Sequence, residues 1–266
     1  MDLHLTGRRA LVTGGSSGLG RAIARQLALE GARVAIAARD EKRLAVAAKE
    51  LGEEVSAAIF AAVVDTSSDA SVKSLVEMAV SELGGLDILV NAAAKPGGQG
   101  PVPGLAGLTE EAFWEDMNVK VLGYLRTARE AAPHMTANGW GRIINVSGLA
   151  ARQTGSIIGS VRNVAVAALT KNLADELGPK GINVTVVHPA YTRTERTPGR
   201  MAQIAARDGV SIEEAECRLG AGSSIGRIVD SAEVADIVAF LASPRSVAIT
   251  GDAIACGGGA RGAIYY

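Results

Sequence analysis

The sequence predicts an α/β protein with a doubly wound parallel sheet, arranged in three α/β/α layers and folded as a single domain. Short apolar runs alternate with helical patterns along the chain, and most of these runs are continuously apolar. Continuous apolar strands require a sheet that is covered on both faces, and alternating strands and helices give parallel, right-handed βαβ units. Ligands of such sheets bind outside the carboxyl ends of the strands.

The strands are predicted from runs of apolar and β-branched residues. They cover residues 10–12, 33–37, 58–64, 88–90, 143–146, 182–187 and 253–256. The longest apolar run, residues 55–64, is interpreted as a strand buried on both faces, because it is far shorter than the roughly 18 residues of a membrane span.

The helices are predicted from apolar residues that recur at helical spacing. They cover residues 19–30, 41–51, 70–83, 110–137 and 164–177, and a glycine follows at Gly31, Gly52, Gly84, Gly139 and Gly178. A glycine at that position suits the left-handed conformation that commonly ends a helix. Residues 191–227 interrupt the alternation with a long polar insert that contains short helical patterns at 201–208 and 212–219. A long connection at this edge predicts a substrate loop within one domain spanning 1–266.

Composition restricts the class of partner. The chain has 266 residues, of which 48% are apolar, and a formal net charge of −1. Interspersed charges give no basic stripe for nucleic acid and no polybasic segment for a membrane surface, so a small molecule is the expected partner. Cys217 and Cys256 stand far apart and outside any metal-binding pattern, which predicts no metal site and a cytoplasmic location.

A glycine-rich turn follows the first predicted strand and opens the first helix. It reads Thr13-Gly14-Gly15-Ser16-Ser17-Gly18-Leu19-Gly20. Glycine is needed there because a Cβ would hold a pyrophosphate away from the backbone amides at the helix N-terminus. This Rossmann-type turn predicts dinucleotide binding by Gly14, Ser16, Ser17, Gly18, Leu19 and Gly20.

The end of the second strand indicates which dinucleotide is bound. It reads Ala37-Ala38-Arg39, with no carboxylate where one would accept the ribose hydroxyl of NAD. Arg39 can instead form two hydrogen bonds with a 2′-phosphate, so NADP(H) is favoured over NAD(H). The alternative is that Arg39 is a solvated residue at the start of a charged helix.

Further motifs make most of the chain resemble the short-chain dehydrogenase/reductase family. They are the glycine-rich turn, the segment 91–94, Asn118, the strand 141–147 and the loop 189–194. The resemblance implies an NAD(P)(H)-dependent oxidoreductase that acts on a small carbonyl or alcohol. It also implies that Asp65 lies near the adenine, that Asn91 lies beneath the cofactor, and that Pro189, Thr192 and Thr194 lie at the nicotinamide end. An Asx turn at Asp65 and a helix cap at Thr194 are the structural alternatives.

The catalytic pattern of that family is incomplete in this chain. The family places Tyr, three residues and then Lys just before Ala-Ala-Leu, and here those positions hold Arg162 and Val166. No tyrosine lies between Tyr124 and Tyr191, so no shift of alignment restores one. A guanidinium can stabilise an oxyanion but does not readily donate a proton.

Four residues remain as candidates for the catalytic site. Asn118 matches the family's Asn, Ser147 is the available hydroxyl, Arg162 holds the Tyr position and Tyr191 is the best outside proton donor. Tyr124 is interpreted as a core residue, and His188 as structural.

Three functions remain open at this point. The chain is an oxidoreductase with a rebuilt proton relay, or an NADP(H)-binding sensor or partner subunit without turnover, or an enzyme of other chemistry in which Arg162 binds a carboxylate or phosphate. The helix 164–177 is apolar around most of its circumference. Because this helix forms a dimer face in the family, the resemblance implies a homodimer or homotetramer.

Overall fold

The main sheet contains seven strands, all parallel to their neighbours, in the order β3-β2-β1-β4-β5-β6-β9. A computed structural model describes residues 1–95, 102 and 104–261. The strands of this sheet are β1 Arg9–Thr13, β2 Arg33–Ala38, β3 Ile59–Val63, β4 Ile88–Asn91, β5 Gly141–Val146, β6 Ile182–His188 and β9 Ala253–Ala255; β7 Thr192–Arg193 and β8 Val229–Asp230 form a separate pair. The strand order reverses between β1 and β4, which is where ligands of such sheets bind.

Helices cover both faces of the sheet. They are α1 Gly18–Leu29, α2 Glu41–Val55, α3 Asp69–Leu83, α4 Glu110–Met117, α5 Gly123–Ala137, α6 Ile157–Leu177, α7 Thr197–Asp208, α8 Ile212–Gly220 and α9 Ser231–Ala242. A π-helical segment, Asn118–Leu122, joins α4 to α5, and four short 3₁₀ helices cover Leu105–Gly107, Leu149–Arg152, Gly178–Lys180 and Pro244–Ser246.

Two apolar cores lie on opposite faces of the sheet. One packs α1, α2 and α9 against the strands, and the other packs α3, α5 and α6. In β1, Ala10 and Val12 belong to the first core while Leu11 belongs to the second, because successive side chains of a strand point to opposite faces. The predicted three-layer fold is confirmed.

The prediction for residues 55–64 is wrong in detail. Val55 ends α2, and the strand occupies only Ile59–Val63. This strand lies at the edge of the sheet, where it pairs with β2 alone, so Ala61 and Val63 are exposed. An apolar run does not by itself distinguish an edge strand from a central one.

Two of the five predicted stop glycines do not end their helices as expected. Gly52 lies inside α2, and Ser56 takes the left-handed conformation at φ 52°. Gly178 has φ −54°, and Gly181 adopts the positive φ of 82° instead. In both cases the residue with the left-handed conformation comes later than the predicted glycine, by four positions at Ser56 and by three at Gly181.

Helices α4 to α6 also differ from the predicted bounds. The predicted helix 110–137 is divided by the π-helical segment, and such segments often occur at functional sites. The helix predicted to begin at Val164 begins at Ile157, because the Ser156 side chain accepts a hydrogen bond from the Gly159 amide and caps it.

The insert 191–227 contains the two predicted helices, as α7 and α8. It also forms a small parallel sheet that the sequence does not predict, in which Thr192 pairs with Val229 and Arg193 with Asp230. This pairing joins the start of the insert to the residues that follow its end.

Candidate active site

A cleft of about 640 Å³ opens at the carboxyl ends of β1, β2 and β4. The six predicted residues of the glycine-rich turn and Arg39 all line it. The cleft therefore lies at the reversal of strand order, with the N-terminus of α1 at its edge.

The turn fits a dinucleotide because two of its glycines have no room for a side chain. A Cβ on Gly14 would stand 2.8 Å from the Ala92 carbonyl group, and Gly14 has φ 72°. A Cβ on Gly20 would stand 2.3 Å from the Gly14 oxygen. At Gly18 the only near atom would be a Thr194 methyl at 3.9 Å, so the space over this amide opens into the cleft. The absence of side chains at these glycines lets a pyrophosphate approach the backbone of the turn closely.

The end of β2 supplies cationic groups to the same cleft. Arg39 and Arg43 line it beside Ala38. The nearby carboxylate of Asp40 is used as a helix cap, because its Oδ1 accepts a 3.0 Å hydrogen bond from the Arg43 amide. Arg39 is thus placed to meet a phosphate.

Asp65, which the resemblance assigns to the adenine, is hydrogen-bonded within its own loop. Asp65 is exposed and accepts hydrogen bonds from Ser67 Oγ at 2.6 Å and from Ser67 N at 2.9 Å, and these bonds lower the pKa of Asp65 below its usual value. Val64 and Thr66, on either side of it, line the cleft. Asp65 therefore forms an Asx turn beside the cleft, and its place near the adenine stays a prediction.

Asn91 is fully buried at the end of β4. Its amide nitrogen donates to Asn145 Oδ1 at 3.0 Å, and its oxygen accepts from Thr127 Oγ1 at 2.7 Å. The following residues, Ala92 to Ala94, line the cleft. Asn91 therefore supports the floor of the cleft from below.

The loop after β6 connects the cleft to the insert. Pro189 lines a second pocket, Thr192 Oγ1 donates to the Ala190 oxygen at 3.1 Å, and Thr194 Oγ1 accepts from the Arg196 amide at 3.3 Å. Two residues that the sequence reasoning missed follow directly. Glu195 contacts the Gly18 amide, and Arg196 lines the cofactor cleft.

The second pocket, of about 520 Å³, also reaches the end of β5. Val146 lines the cofactor cleft and the next residue, Ser147, lines the second pocket together with Arg162 and Tyr191. Ser147 Oγ donates to the Asn163 backbone oxygen at 3.1 Å. Three of the four predicted catalytic residues are brought together here.

Asn118, the fourth, begins the π-helical segment. Its Oδ1 is the one buried side-chain oxygen or nitrogen in the described residues without a hydrogen-bond partner. A buried acceptor of this kind is a site for an ordered water.

Arg162 is held in an ion pair. Its Nη1 donates to both carboxylate oxygens of Asp116, at 2.7 and 2.9 Å, and its Nε approaches Asn163 Oδ1 at 3.4 Å. The side chains of Arg162 and Asp116 are only 13% and 17% exposed. Sequence reasoning missed Asp116 because its partner lies 46 positions away.

Lys120 is the most unusual residue that sequence reasoning missed. Its Nζ is fully buried and donates to the Ser147 oxygen at 3.1 Å and to Asn163 Oδ1 at 3.2 Å. Burial, reinforced by the Arg162 charge and partly opposed by Asp116, lowers the pKa of Lys120 to about 7. The sequence offers one indication of this burial, because Lys120 stands between two apolar residues, Val119 and Val121.

The position of the expected lysine is apolar. Val166 has no exposed surface and packs with Tyr124 and Val186. The Tyr124 hydroxyl donates to the Val146 oxygen at 2.9 Å, and burial raises the pKa of this hydroxyl. Tyr124 is a core residue, as the sequence indicates.

The remaining titratable groups near the second pocket differ in accessibility. Burial lowers the pKa of His188 to about 4, so it is neutral at pH 7, and its Nδ1 accepts from the Gly148 amide at 3.4 Å. Tyr191 is 38% exposed, and partial burial raises the pKa of its hydroxyl. Of the two tyrosines that the structure describes, Tyr191 is the one that lines the pocket.

Comparison with known proteins decides the family. A profile of the short chain dehydrogenase family matches residues 8–204. The chain belongs to this family. It is also 34% identical to an uncharacterized oxidoreductase of Methylorubrum extorquens, over 97% of this chain and 99% of that protein. The family resemblance inferred from the motifs is confirmed. The chain is therefore an NAD(P)-dependent oxidoreductase of the short-chain dehydrogenase type.

Solved structures share the fold over nearly the whole chain. L-sorbose reductase from Gluconobacter frateurii, solved with NADPH and L-sorbose, is 29% identical and superimposes with a TM-score of 0.91, covering 99% of this short-chain dehydrogenase and 100% of that chain. A variant of the actinorhodin polyketide ketoreductase, solved with NADPH, is 32% identical with a TM-score of 0.86, and the coverage is 94% and 96%.

Within residues 1–95, 102 and 104–261, no group of three or more His, Cys, Asp or Glu side chains is placed to hold a metal ion. None of the helices described for this short-chain dehydrogenase combines the length and apolar character needed to span a bilayer.

Proposed function

We propose that this chain is an NADP(H)-dependent oxidoreductase that interconverts a small carbonyl compound and its alcohol, with a proton-transfer site that differs from the Tyr and Lys pair of its family. The observation that carries the proposal is that two consecutive residues at the end of β5, Val146 and Ser147, line the two pockets. A substrate in the second pocket would adjoin a cofactor in the first.

The chain's own residues favour NADP(H) over NAD(H). Arg39 and Arg43 line the adenosine end, and the Asp40 carboxylate is occupied in capping α2. A guanidinium recognises a 2′-phosphate through two hydrogen bonds, whereas a ribose hydroxyl needs a carboxylate. The NADPH in two solved relatives supports the same preference.

When bound, NADPH supplies the hydride for carbonyl reduction. Ser147, at the mouth of the second pocket, can donate a hydrogen bond to the substrate oxygen after its hydroxyl turns from the Asn163 carbonyl. Arg162 can stabilise negative charge on that oxygen, but its proton stays bound. The proton then comes from the Tyr191 hydroxyl or from water held at Asn118.

A second candidate function is supported by a specific observation. Arg162 is engaged by Asp116, and Val166 fills an apolar cluster, so neither position offers a proton donor. This arrangement also suits a protein that binds NADP(H) as a sensor or partner subunit and does not turn over.

One experiment separates the two functions. Purified protein is titrated with NADPH and NADH by fluorescence, and NADPH oxidation is then followed with ketones, quinones and acyl thioesters. The proposed reductase binds NADPH more tightly than NADH and oxidises it with at least one substrate class. Tight binding with no oxidation across the panel favours the non-catalytic function, and no binding of either cofactor contradicts both.

The exposed surface supports a homodimer or homotetramer. Apolar side chains at Ile157, Val161 and Val164 are 43–50% exposed along α6, and Leu122 and Leu125 are about as exposed on the neighbouring segment. Contiguous exposed apolar surface of this kind marks an interaction site. Light scattering of wild type and Val164→Asp tests the proposal, which predicts that the charged variant dissociates.

A further inference from the structure

The carboxylate of Glu195 lies on the N-terminus of α1. Both of its oxygens accept from the Gly18 amide, at 2.9 and 3.1 Å. Ser17, the N-cap residue, makes no capping bond with its own side chain and instead accepts a 2.7 Å hydrogen bond from Arg196 Nη2 at Oγ. Two consecutive residues between β7 and α7 therefore cover the start of α1.

This position is the one that a dinucleotide needs. The first amides of a helix attract anions, because they lack intrahelical acceptors and carry the positive end of the helix dipole. In a doubly wound sheet the pyrophosphate binds at the helix that follows β1. The Glu195 carboxylate is an anion that already uses the Gly18 amide.

The side chains of Glu195 and Arg196 can rotate away from the start of α1 without disturbing the core. The side chains of Glu195 and Arg196 are 53% and 44% exposed. The turn that presents them is closed by its own bonds, from the Thr197 amide to the Thr194 oxygen at 3.0 Å and from the Thr194 amide to Thr197 Oγ1 at 2.9 Å. A rotation of the two side chains is sufficient to clear the Gly18 amide.

We infer that Glu195 competes with the cofactor pyrophosphate for the Gly18 amide, and that Arg196 becomes a counter-ion of the pyrophosphate once Glu195 has left. This inference rests on the proposed binding of NADP(H). Arg196 already lines the cleft, and its Nε lies 3.8 Å from Glu195 Oε1. On cofactor binding, the pyrophosphate replaces the Glu195 carboxylate at the N-terminus of α1. Arg196 lies beside an anion both before and after this exchange.

The inference assigns opposite effects to neighbouring residues. Glu195→Gln removes the charge that competes with the pyrophosphate. Because an anion at a helix N-terminus is stabilised by the helix dipole, this change should tighten NADPH binding about two- to fivefold. Arg196→Met removes the counter-ion and should weaken NADPH binding about fivefold, with a smaller dependence on salt. A residue that served only the loop structure would weaken binding in both variants.

The test is isothermal titration of wild type, both variants and a control with NADPH at low and physiological salt. Glu77→Gln is the control, because it removes one exposed carboxylate from α3, on the face of the sheet away from α1. Adenosine 2′-phosphate, which lacks the pyrophosphate, is the second probe, and its affinity should be the same for wild type and Glu195→Gln.

Each outcome decides one of the two proposals. Tighter NADPH binding by Glu195→Gln alone, with unchanged binding of adenosine 2′-phosphate, supports the competition. Equal NADPH affinity in wild type, Glu195→Gln and Glu77→Gln overturns it while leaving the proposed cofactor intact. Failure of every variant to bind NADPH overturns the proposed function and the competition together.

Discussion

Arg162 is predicted to stabilise the fold through Asp116, so that Arg162→Met costs about 3 kcal/mol of the free energy of unfolding. The pair is largely buried, with two oxygen contacts at 2.7 and 2.9 Å to one Nη1. Removing one partner of a buried ion pair costs roughly 3–5 kcal/mol because the other charge is left uncompensated. The lower end applies here, because neither side chain is fully buried and both keep some contact with solvent.

The reasoning also predicts how the partners combine. Asp116→Asn should be similarly destabilising, and the double variant should be less destabilised than the sum of the single variants, by at least 1 kcal/mol. A loss of about 3 kcal/mol corresponds to a lower Tm by roughly 6–12 °C in a protein of this size. Urea unfolding followed by circular dichroism measures all four proteins of the cycle.

A surface pair provides the matched control. Arg129 and Asp69 are 54% and 62% exposed, so Arg129→Met should cost less than about 1 kcal/mol. NADPH affinity should be unchanged in Arg162→Met, because Arg162 lines the second pocket and not the cofactor cleft. Additive single variants would refute the pairing, and loss of an acidic ligand without loss of stability would favour Arg162 as a ligand-binding residue.

Three further variants test other parts of the structure. Gly20→Ala should abolish measurable NADPH binding by calorimetry, because its Cβ would stand 2.3 Å from the Gly14 oxygen; binding close to wild type would contradict the tight turn. Arg39→Ser should weaken NADPH at least about tenfold and leave NADH unchanged in fluorescence titrations; equal losses for both would argue against 2′-phosphate recognition. The pKa of Lys120 is about 7 in the fold, below its usual 10.5, so the unfolded chain binds more protons between these values and wild-type stability should rise with pH there. Lys120→Met should remove that rise in urea unfolding, and an unchanged pH dependence would show that Lys120 is not the group responsible.

Much of the fold follows from local sequence. Continuous apolar runs such as Ala10-Leu11-Val12 can be satisfied only between two layers of helices, and the structure places them there. The errors occur where position in the sheet decides. Ile59–Val63 is partly exposed because it is the edge strand of the described sheet. The apolar run itself does not indicate whether a second neighbouring strand is present.

The candidate site divides in the same way. The glycine-rich turn and Arg39 are close in sequence to the helix and strand that position them, so their place in the cleft is predictable. The contacts of Asp116 with Arg162 and of Glu195 with Gly18 join residues 46 and 177 positions apart. Such contacts depend on which loops meet at the edge of the sheet. A sequence motif identifies one residue of each pair and does not indicate its partner.

The replacement of the Tyr and Lys pair is a rearrangement of charge rather than a simple loss. Asn163 Oδ1 lies between two cationic side chains, Arg162 and Lys120, and Asp116 forms an ion pair with Arg162. Asp116 neutralises the charge of Arg162, and the pKa of about 7 allows Lys120 to lose its charge at neutral pH. A lysine introduced at Val166 would enter the apolar cluster beside Tyr124 as a third cation. Restoring the family's residues one at a time should therefore destabilise this protein before it restores any proton transfer.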